Sequence, residues 1–115
     1  MAFINNMIKL YRIKRNEEFS GIIAKKHSKA GEAFVLYFDG RKEDYSRIGI
    51  SVSKKLGNAV TRNKVKRQIR MMLANFYDFD SSPKDIIIIA RSRYLERSFA
   101  QNQEELEKLI KSSII

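Results

Sequence analysis

The sequence is poor in residues that build covalent cross-links and metal sites. It contains no cysteine, one proline and one histidine among 115 residues. The lack of cysteine excludes disulfide bonds and thiolate zinc sites, and it fits a reducing, cytoplasmic setting. The longest apolar run, residues 86–90, is far below the roughly 18 residues that span a bilayer. We expect one cytoplasmic domain over residues 1–115, with flexible ends at 1–8 and 112–115.

Acidic residues are absent from two stretches of the chain. Residues 1–16 carry four basic residues and no acid, and residues 45–77 carry eight basic residues and no acid. The two remaining segments are nearly neutral, so the formal net charge of +10 is concentrated rather than scattered. Long stretches of one sign are typical of proteins that bind a polyanion such as nucleic acid.

Hydrophobic periodicity predicts three helices and three strands. The helices span about residues 16–26, 58–77 and 98–111, with Asn16 as N-cap of the first and Phe99 on the buried side of the last. The strands span residues 34–38, 47–53 and 84–91, and the last is apolar enough for the centre of a sheet. This order of elements indicates an α+β fold or an open-faced α/β sandwich.

The predicted strand at residues 47–53 alternates between bulky and small side chains. Ile48, Ile50 and Val52 share one face, whereas Gly49 and Ser51 lie on the other. If this strand pairs in register with the strand at 34–38, the two small residues leave a shallow floor beside Val35 and Tyr37. The pattern indicates either a groove or an ordinary solvated face.

The helix that begins near Asn58 has an apolar and a cationic face. At about 100° per residue, the apolar arc comprises Val65, Ile69, Met72, Leu73 and Phe76. The neighbouring arc comprises Arg62, Asn63, Lys66, Arg67 and Arg70. Like charges four residues apart weaken an isolated helix, so folding alone does not explain this face. Guanidinium and ammonium groups bind phosphate, which favours a nucleic-acid partner.

Side chains for independent catalysis are scarce. His27 is the one histidine, and it lies among lysines without the partners of a catalytic triad. Asp78 and Asp80 could hold a metal ion, but no further carboxylates stand near them in sequence. The sequence therefore predicts a binding protein; a metal-dependent nuclease that acts through these two aspartates is the less favoured alternative.

Residues 49–70, "GISVSKKLGNAVTRNKVKRQIR", closely resemble the signature of the bacterial ribonuclease P protein subunit. The stretches "YRIKRNEEFSGII", "FVLY" and "DIIIIAR" are similar to that family's first helix and flanking strands. The resemblance implies an α/β sandwich of the ribosomal protein S5 domain 2-like type. It implies about four strands, three helices, a left-handed βαβ crossover and a short extra strand near Ser28.

The resemblance also implies a function. Family members pair with a catalytic RNA whose bound Mg²⁺ ions hydrolyse the bond between the 5′ leader and precursor tRNA. The chain is then the protein component of a ribonucleoprotein endoribonuclease, without catalytic or metal-ligating residues of its own. A general structured-RNA or ribosome-associated binding module is the alternative.

The family's binding residues match two sets of positions in this chain. The set expected to face the catalytic RNA comprises Lys54, Lys55, Asn58, Arg62, Asn63, Lys64, Lys66, Arg67 and Arg70. The set expected to line the leader cleft comprises Arg12, Lys14, Phe19, Ile23, Tyr37 and Ser51. The chain departs from the family pattern at four positions, namely Lys64 in place of arginine, Ile23 in place of an aromatic residue, and Gly31 and Glu32 in place of asparagine and arginine.

Overall fold

A computed structural model describes residues 11–114, which form helices on both faces of one sheet. The α-helices are α1 (Asn16–Ala24), α2 (Ala59–Phe76) and α3 (Phe99–Ile114). The strands are β1 (Ser28–Ala30), β2 (Phe34–Gly40), β3 (Ile48–Val52) and β4 (Lys84–Ala90), and short 3₁₀ turns occupy Lys54–Leu56 and Ser92–Glu96. The predicted flexible segment 1–8 lies outside the described residues. Residues 112–114, predicted to be flexible, continue α3.

The sheet is mixed, with strand order β1-β2-β4-β3. β4 pairs antiparallel with β2 and parallel with β3, and α2 provides the crossover between β3 and β4. Ile86, Ile87 and Ile88 are fully buried, as expected for a central strand covered on both faces. The predicted α+β class and the extra strand near Ser28 are confirmed, whereas the left hand of the crossover stays a prediction.

The pairing of β2 with β3, on which the shallow floor beside Val35 and Tyr37 depended, does not occur. β4 lies between them, so Tyr37 faces Ile87, which in turn faces Gly49. β2 and β3 are consecutive in the chain but not neighbours in the sheet. The long apolar run of β4 instead takes the centre, where both of its faces are removed from water.

The two faces of the sheet carry different helices. One face, with Phe34, Leu36 and Ile88, packs against α2 and α3 in the main core. The other face packs against α1 through a smaller cluster that contains Ile22 and Ile87. The sandwich therefore leaves α1 and α2 on opposite sides of the sheet, with β3 as the edge strand between them.

Two helix ends differ from the sequence prediction. Asn16 is the first residue of α1 rather than its N-cap, because Arg15 precedes it in an extended conformation without a side-chain cap. α1 ends at Ala24, and Lys26 adopts a positive φ of 59°.

In α3, Phe99 is 37% exposed, whereas Asn102 is buried. Asn102 tolerates burial because it donates to Tyr94 O and accepts from Arg97.

A buried ion-pair network fixes α1 to the sheet. Arg47, just before β3, pairs with Asp85 at 3.2 Å and with Glu18 of α1 at 2.6 Å. Its backbone N–H also donates to Asp85 Oδ1 at 2.9 Å. Burial lowers the pKa of Arg47, but the hydrogen bonds and charges of Asp85 and Glu18 raise it by more. The network therefore sets the position of α1 beside the β3 edge.

Candidate nucleic-acid interface

Helix α2 buries one face and presents the other to solvent. Asn58 is its N-cap and accepts a hydrogen bond from Thr61 N–H at 3.0 Å, which satisfies one of the free donors of the first turn. Val65, Ile69 and Met72 are almost completely buried. The predicted amphipathic helix and its apolar arc are confirmed, so the remaining surface of α2 is free to bind a partner.

Apart from the exposed Val60 and Met71, arginines and lysines dominate the solvent-facing surface of α2, and they have no carboxylate partners among residues 11–114. The ion pairs of that range use acceptors and donors outside α2. Internal neutralisation by described residues is thereby excluded. We call this surface the α2 cationic face and define it as Arg62, Asn63, Lys64, Lys66, Arg67 and Arg70.

The turn before α2 extends this positive surface. Lys54 and Lys55 form an exposed 3₁₀ turn that contacts α2. Gly57 connects the turn to the helix with φ 145°, a region that disfavours residues with a side chain. A Cβ at this position would lie 3.0 Å from Thr61 Cβ. The glycine therefore permits the close join that places both lysines next to the helix.

A groove runs along the outer edge of β3, between α1 and α2. It has two connected parts of about 230 and 360 Å³ that share Asn16, Phe19 and Ile50. The first part is also lined by Arg12, Ile13, Lys14, Ile48 and Arg70. The second part is also lined by Ser20, Ile23, Ser51, Val52 and Lys66. We call the two parts together the β3 groove.

Most of the residues predicted for the leader cleft meet in the β3 groove. Arg12 and Lys14 line its first part, Ile23 and Ser51 line its second part, and Phe19 lies between the two. Tyr37 does not line either part. It lies on β2, with β4 between it and the groove, and it packs beside the small core cluster under α1.

Gly49 supports Phe19 rather than forming an open floor. A Cβ at Gly49 would lie 2.6 Å from Phe19 Cε2 and Cζ and 2.7 Å from Ile87 Cδ1. The Phe19 ring therefore rests against the glycine and keeps a partly exposed surface in the groove. Of the two small residues of β3, Ser51 lines the groove, whereas Gly49 allows the aromatic ring to approach the sheet.

Two arginines face the same end of the groove. Arg12 and Arg70 both line its first part. Burial, and after it the positive charge of Arg12, lowers the pKa of Arg70 below its ordinary value. Arginine stays protonated in proteins, so two like charges remain close together. A bound anion such as phosphate would relieve this repulsion.

Several groove residues have no clear signal in the sequence. Asn16 and Ile50 line both parts of the groove, and neither carries charge or a motif that marks a binding residue. Asn16 could have been found because it lies where the basic N-terminal stretch meets the first turn of α1. The role of Ile50 depends on β3 being an edge strand, which sequence alone does not provide.

The turn between β1 and β2 is held against α3. Glu105 accepts hydrogen bonds from the backbone N–H groups of Glu32 and Ala33 at 3.1 and 2.9 Å. Arg97 forms ion pairs with Glu32 and Glu105. A Cβ at Gly31 would lie 2.7 Å from Glu105 Oε2. The departures at residues 31 and 32 therefore serve packing of this turn.

The groups considered for catalysis occupy structural or solvated positions. His27 is exposed. Asp78 accepts from Asp80 N–H at 3.0 Å and from Ser81 N–H at 3.4 Å, and hydrogen bonds from Ser81 and Asp80 lower its pKa. No cluster of three potential metal ligands occurs in the described part of the chain. None of the described helices is long and apolar enough to cross a membrane.

The fold and the surface together define the class of protein. It is a small α+β sandwich with a cationic helix face beside a groove that contains an aromatic ring, a combination suited to RNA. A family model described as Ribonuclease P matches residues 7–113. The chain belongs to the ribonuclease P protein family.

Individual relatives agree with this assignment. The ribonuclease P protein component of Mesoplasma florum is 52% identical over 99 residues, which cover 85% of this chain and 90% of that protein. That of Bacillus cereus is 43% identical over 108 residues, covering 93% and 94%. The solved structure of the Staphylococcus aureus RNase P protein has a TM-score of 0.79 and 46% identity, covering 90% and 94%. The resemblance to the ribonuclease P protein family is confirmed, and ribonuclease P RNA is the partner that it implies.

Proposed function

We propose that this chain assists removal of the 5′ leader from precursor tRNA by holding two RNAs on adjacent surfaces. The α2 cationic face and the Lys54–Leu56 turn bind the catalytic RNA, and the β3 groove binds the single-stranded leader. The observation that carries the proposal is that the α2 cationic face lies directly beside the groove and has no ion-pair partner among residues 11–114. We place this activity in the cytoplasm.

The two surfaces suit different forms of RNA. A convex helix face with several cations fits the phosphates of a folded RNA, whose recognition depends on backbone and shape. A groove with a half-buried aromatic ring fits an unpaired strand, because exposed bases can stack on the ring. Phe19 supplies the ring, and Lys66 belongs to both surfaces. The leader therefore passes next to the catalytic RNA.

Magnesium belongs to the RNA in this proposal. The described residues contain no cluster of metal ligands, and the exposed cations of α2 would repel a divalent ion. When bound to the RNA, Mg²⁺ supplies the activated water and stabilises charge on the cleaved phosphate. The residues of this chain contribute by positioning the leader and by neutralising phosphate charge near the metal-binding RNA.

Reconstitution tests the proposal. The purified chain is added to a bacterial ribonuclease P RNA at low Mg²⁺, with precursor tRNAs that carry leaders of increasing length and with mature tRNA. We expect stimulated cleavage and tighter binding as the leader lengthens, until the groove is filled. Equal affinity for precursor and mature tRNA would contradict leader binding and favour a general RNA-binding module.

Matched variants separate the interface from bulk charge. Arg62→Ala removes one cation from the α2 cationic face and should weaken assembly with the catalytic RNA. Lys108→Ala removes one cation from α3, where Lys108 pairs with Glu104 at 3.0 Å, and should leave assembly unchanged. Equal losses for both variants would show that net charge, rather than this face, determines binding.

A further inference from the structure

The backbone of β3 has one bonded and one open edge. Arg47 O accepts from Ile86 N–H at 3.0 Å, so odd-numbered residues of β3 direct their backbone groups toward β4. Ile48 directs its groups the other way, where its N–H donates to Tyr11 O at 2.7 Å and its carbonyl accepts from Ile13 N–H at 2.9 Å. By the same alternation, the N–H and C=O of Ile50 face away from β4.

Residues 11–13, which pair with Ile48, leave the sheet before they reach Ile50. Among the described residues, a single bridge, between Arg12 and Ile48, joins this segment to β3. After Ile13 the chain turns through Lys14 and Arg15 into α1. No residue from 11 to 114 supplies a partner for the outward N–H and C=O of Ile50. Ile50 is also one of the residues that line both parts of the β3 groove.

An unpaired strand edge can bind another strand or a different donor and acceptor. The surroundings of Ile50 favour RNA over an extended peptide. The described lining of the groove contains the cations Arg12, Lys14, Lys66 and Arg70 and no carboxylate. Phe19 offers a surface on which a base can stack next to this edge.

We propose that the main chain of Ile50 binds one nucleotide of the single-stranded RNA directly. The N–H donates to an oxygen or ring nitrogen of the nucleotide, and the C=O accepts from an amino group or a 2′-hydroxyl. This inference rests on the proposed leader binding. It adds that the main chain of Ile50 fixes the position of the RNA strand along the groove. A base-paired strand cannot offer its Watson–Crick edge to this contact, because pairing already occupies that edge.

Amide hydrogen exchange of the holoenzyme tests this contact at single-residue resolution. Protein and catalytic RNA are saturated with precursor tRNA or with mature tRNA. We expect Ile50 N–H to exchange at least roughly tenfold more slowly with the precursor, whereas Gly49 and Ser51 change little because they already bond to β4. If precursor binds and Ile50 exchanges as before, this inference fails while leader binding stands. If no leader-dependent binding occurs, both fail.

A backbone substitution provides a second test. The amide at Ile50 is replaced by an ester, which removes the N–H and keeps the side chain. The same ester at Glu43, in an exposed loop, is the control, and thermal unfolding verifies the fold of both. We expect affinity for precursor tRNA to fall roughly 3- to 10-fold at Ile50 only. Unchanged affinity, or protection of Ile50 by an extended peptide instead of RNA, would overturn the proposal.

Discussion

Replacing Gly49 by alanine should move Phe19 in the β3 groove. The new methyl group would lie 2.6 Å from two ring carbons of Phe19 and 2.7 Å from Ile87 Cδ1. Carbon atoms in normal contact are about 3.5–4.0 Å apart, so about 1 Å of displacement is required. Ile87 is fully buried and has little room to move. The half-buried Phe19 ring therefore moves toward the groove.

The energetic effect should be moderate for folding and larger for leader binding. Overpacking costs about 1–3 kcal/mol, and the partly exposed position of Phe19, which leaves it space to shift, favours the lower end. About 1 kcal/mol corresponds to a fall in Tm of roughly 4 °C for a domain of this size. A displaced ring loses its stacked base, which costs a further 1 kcal/mol or more, on the order of fivefold to tenfold in affinity.

Thermal unfolding and holoenzyme binding to precursor and mature tRNA measure both effects. We expect Gly49→Ala to weaken precursor binding and to leave mature tRNA binding unchanged. Gly21→Ala is the matched control on α1, because a Cβ at this position meets nothing within 4 Å. The substitution should slightly increase the stability of the helix, since alanine favours a helix more than glycine does. Wild-type precursor affinity in Gly49→Ala would refute the role of Phe19 in the groove.

Three further substitutions test the fold. Arg47→Ala leaves the buried Asp85 without its cationic partner, with the backbone N–H of residue 47 still donating to it, and should cost about 3–5 kcal/mol in denaturant unfolding; a loss below 1 kcal/mol would contradict this role. Lys26→Gly removes the strain of a positive φ. It should raise the free energy of unfolding by about 1 kcal/mol, and with it the Tm. Burial raises the pKa of Tyr77 despite hydrogen bonds that lower it. Unfolded tyrosine ionises near pH 10, so stability should fall above that pH, and less steeply in Tyr77→Phe.

The amphipathic helix α2 was the most predictable part of the fold. Its apolar residues recur at helical spacing, and Asn58 is a preferred N-cap residue, so local sequence was sufficient. The cationic arc was predictable for the same reason. The fold class followed from the order of the elements, and the resemblance supplied the short strand β1.

Long-range contacts account for the errors. The position of β4 between β2 and β3 depends on which strand buries most surface, which consecutive order does not reveal. Tyr37 consequently lies outside the groove. Asn102 replaces Phe99 in the core because Tyr94 and Arg97, from the preceding turn, satisfy its amide. Local periodicity contains no information on such partners.

The salt dependence of holoenzyme assembly tests most directly whether the α2 cationic face binds RNA phosphates. Dissociation constants for the catalytic RNA are measured over a range of KCl with wild type, Arg62→Gln/Arg67→Gln and the control Lys108→Gln/Lys111→Gln. Each lost phosphate contact lowers the slope of log Kd against log[salt] by about 0.9. We predict a slope lower by roughly 2 for the α2 variant and an unchanged slope for the α3 control. Identical slopes for wild type and the α2 variant would contradict phosphate binding by this face.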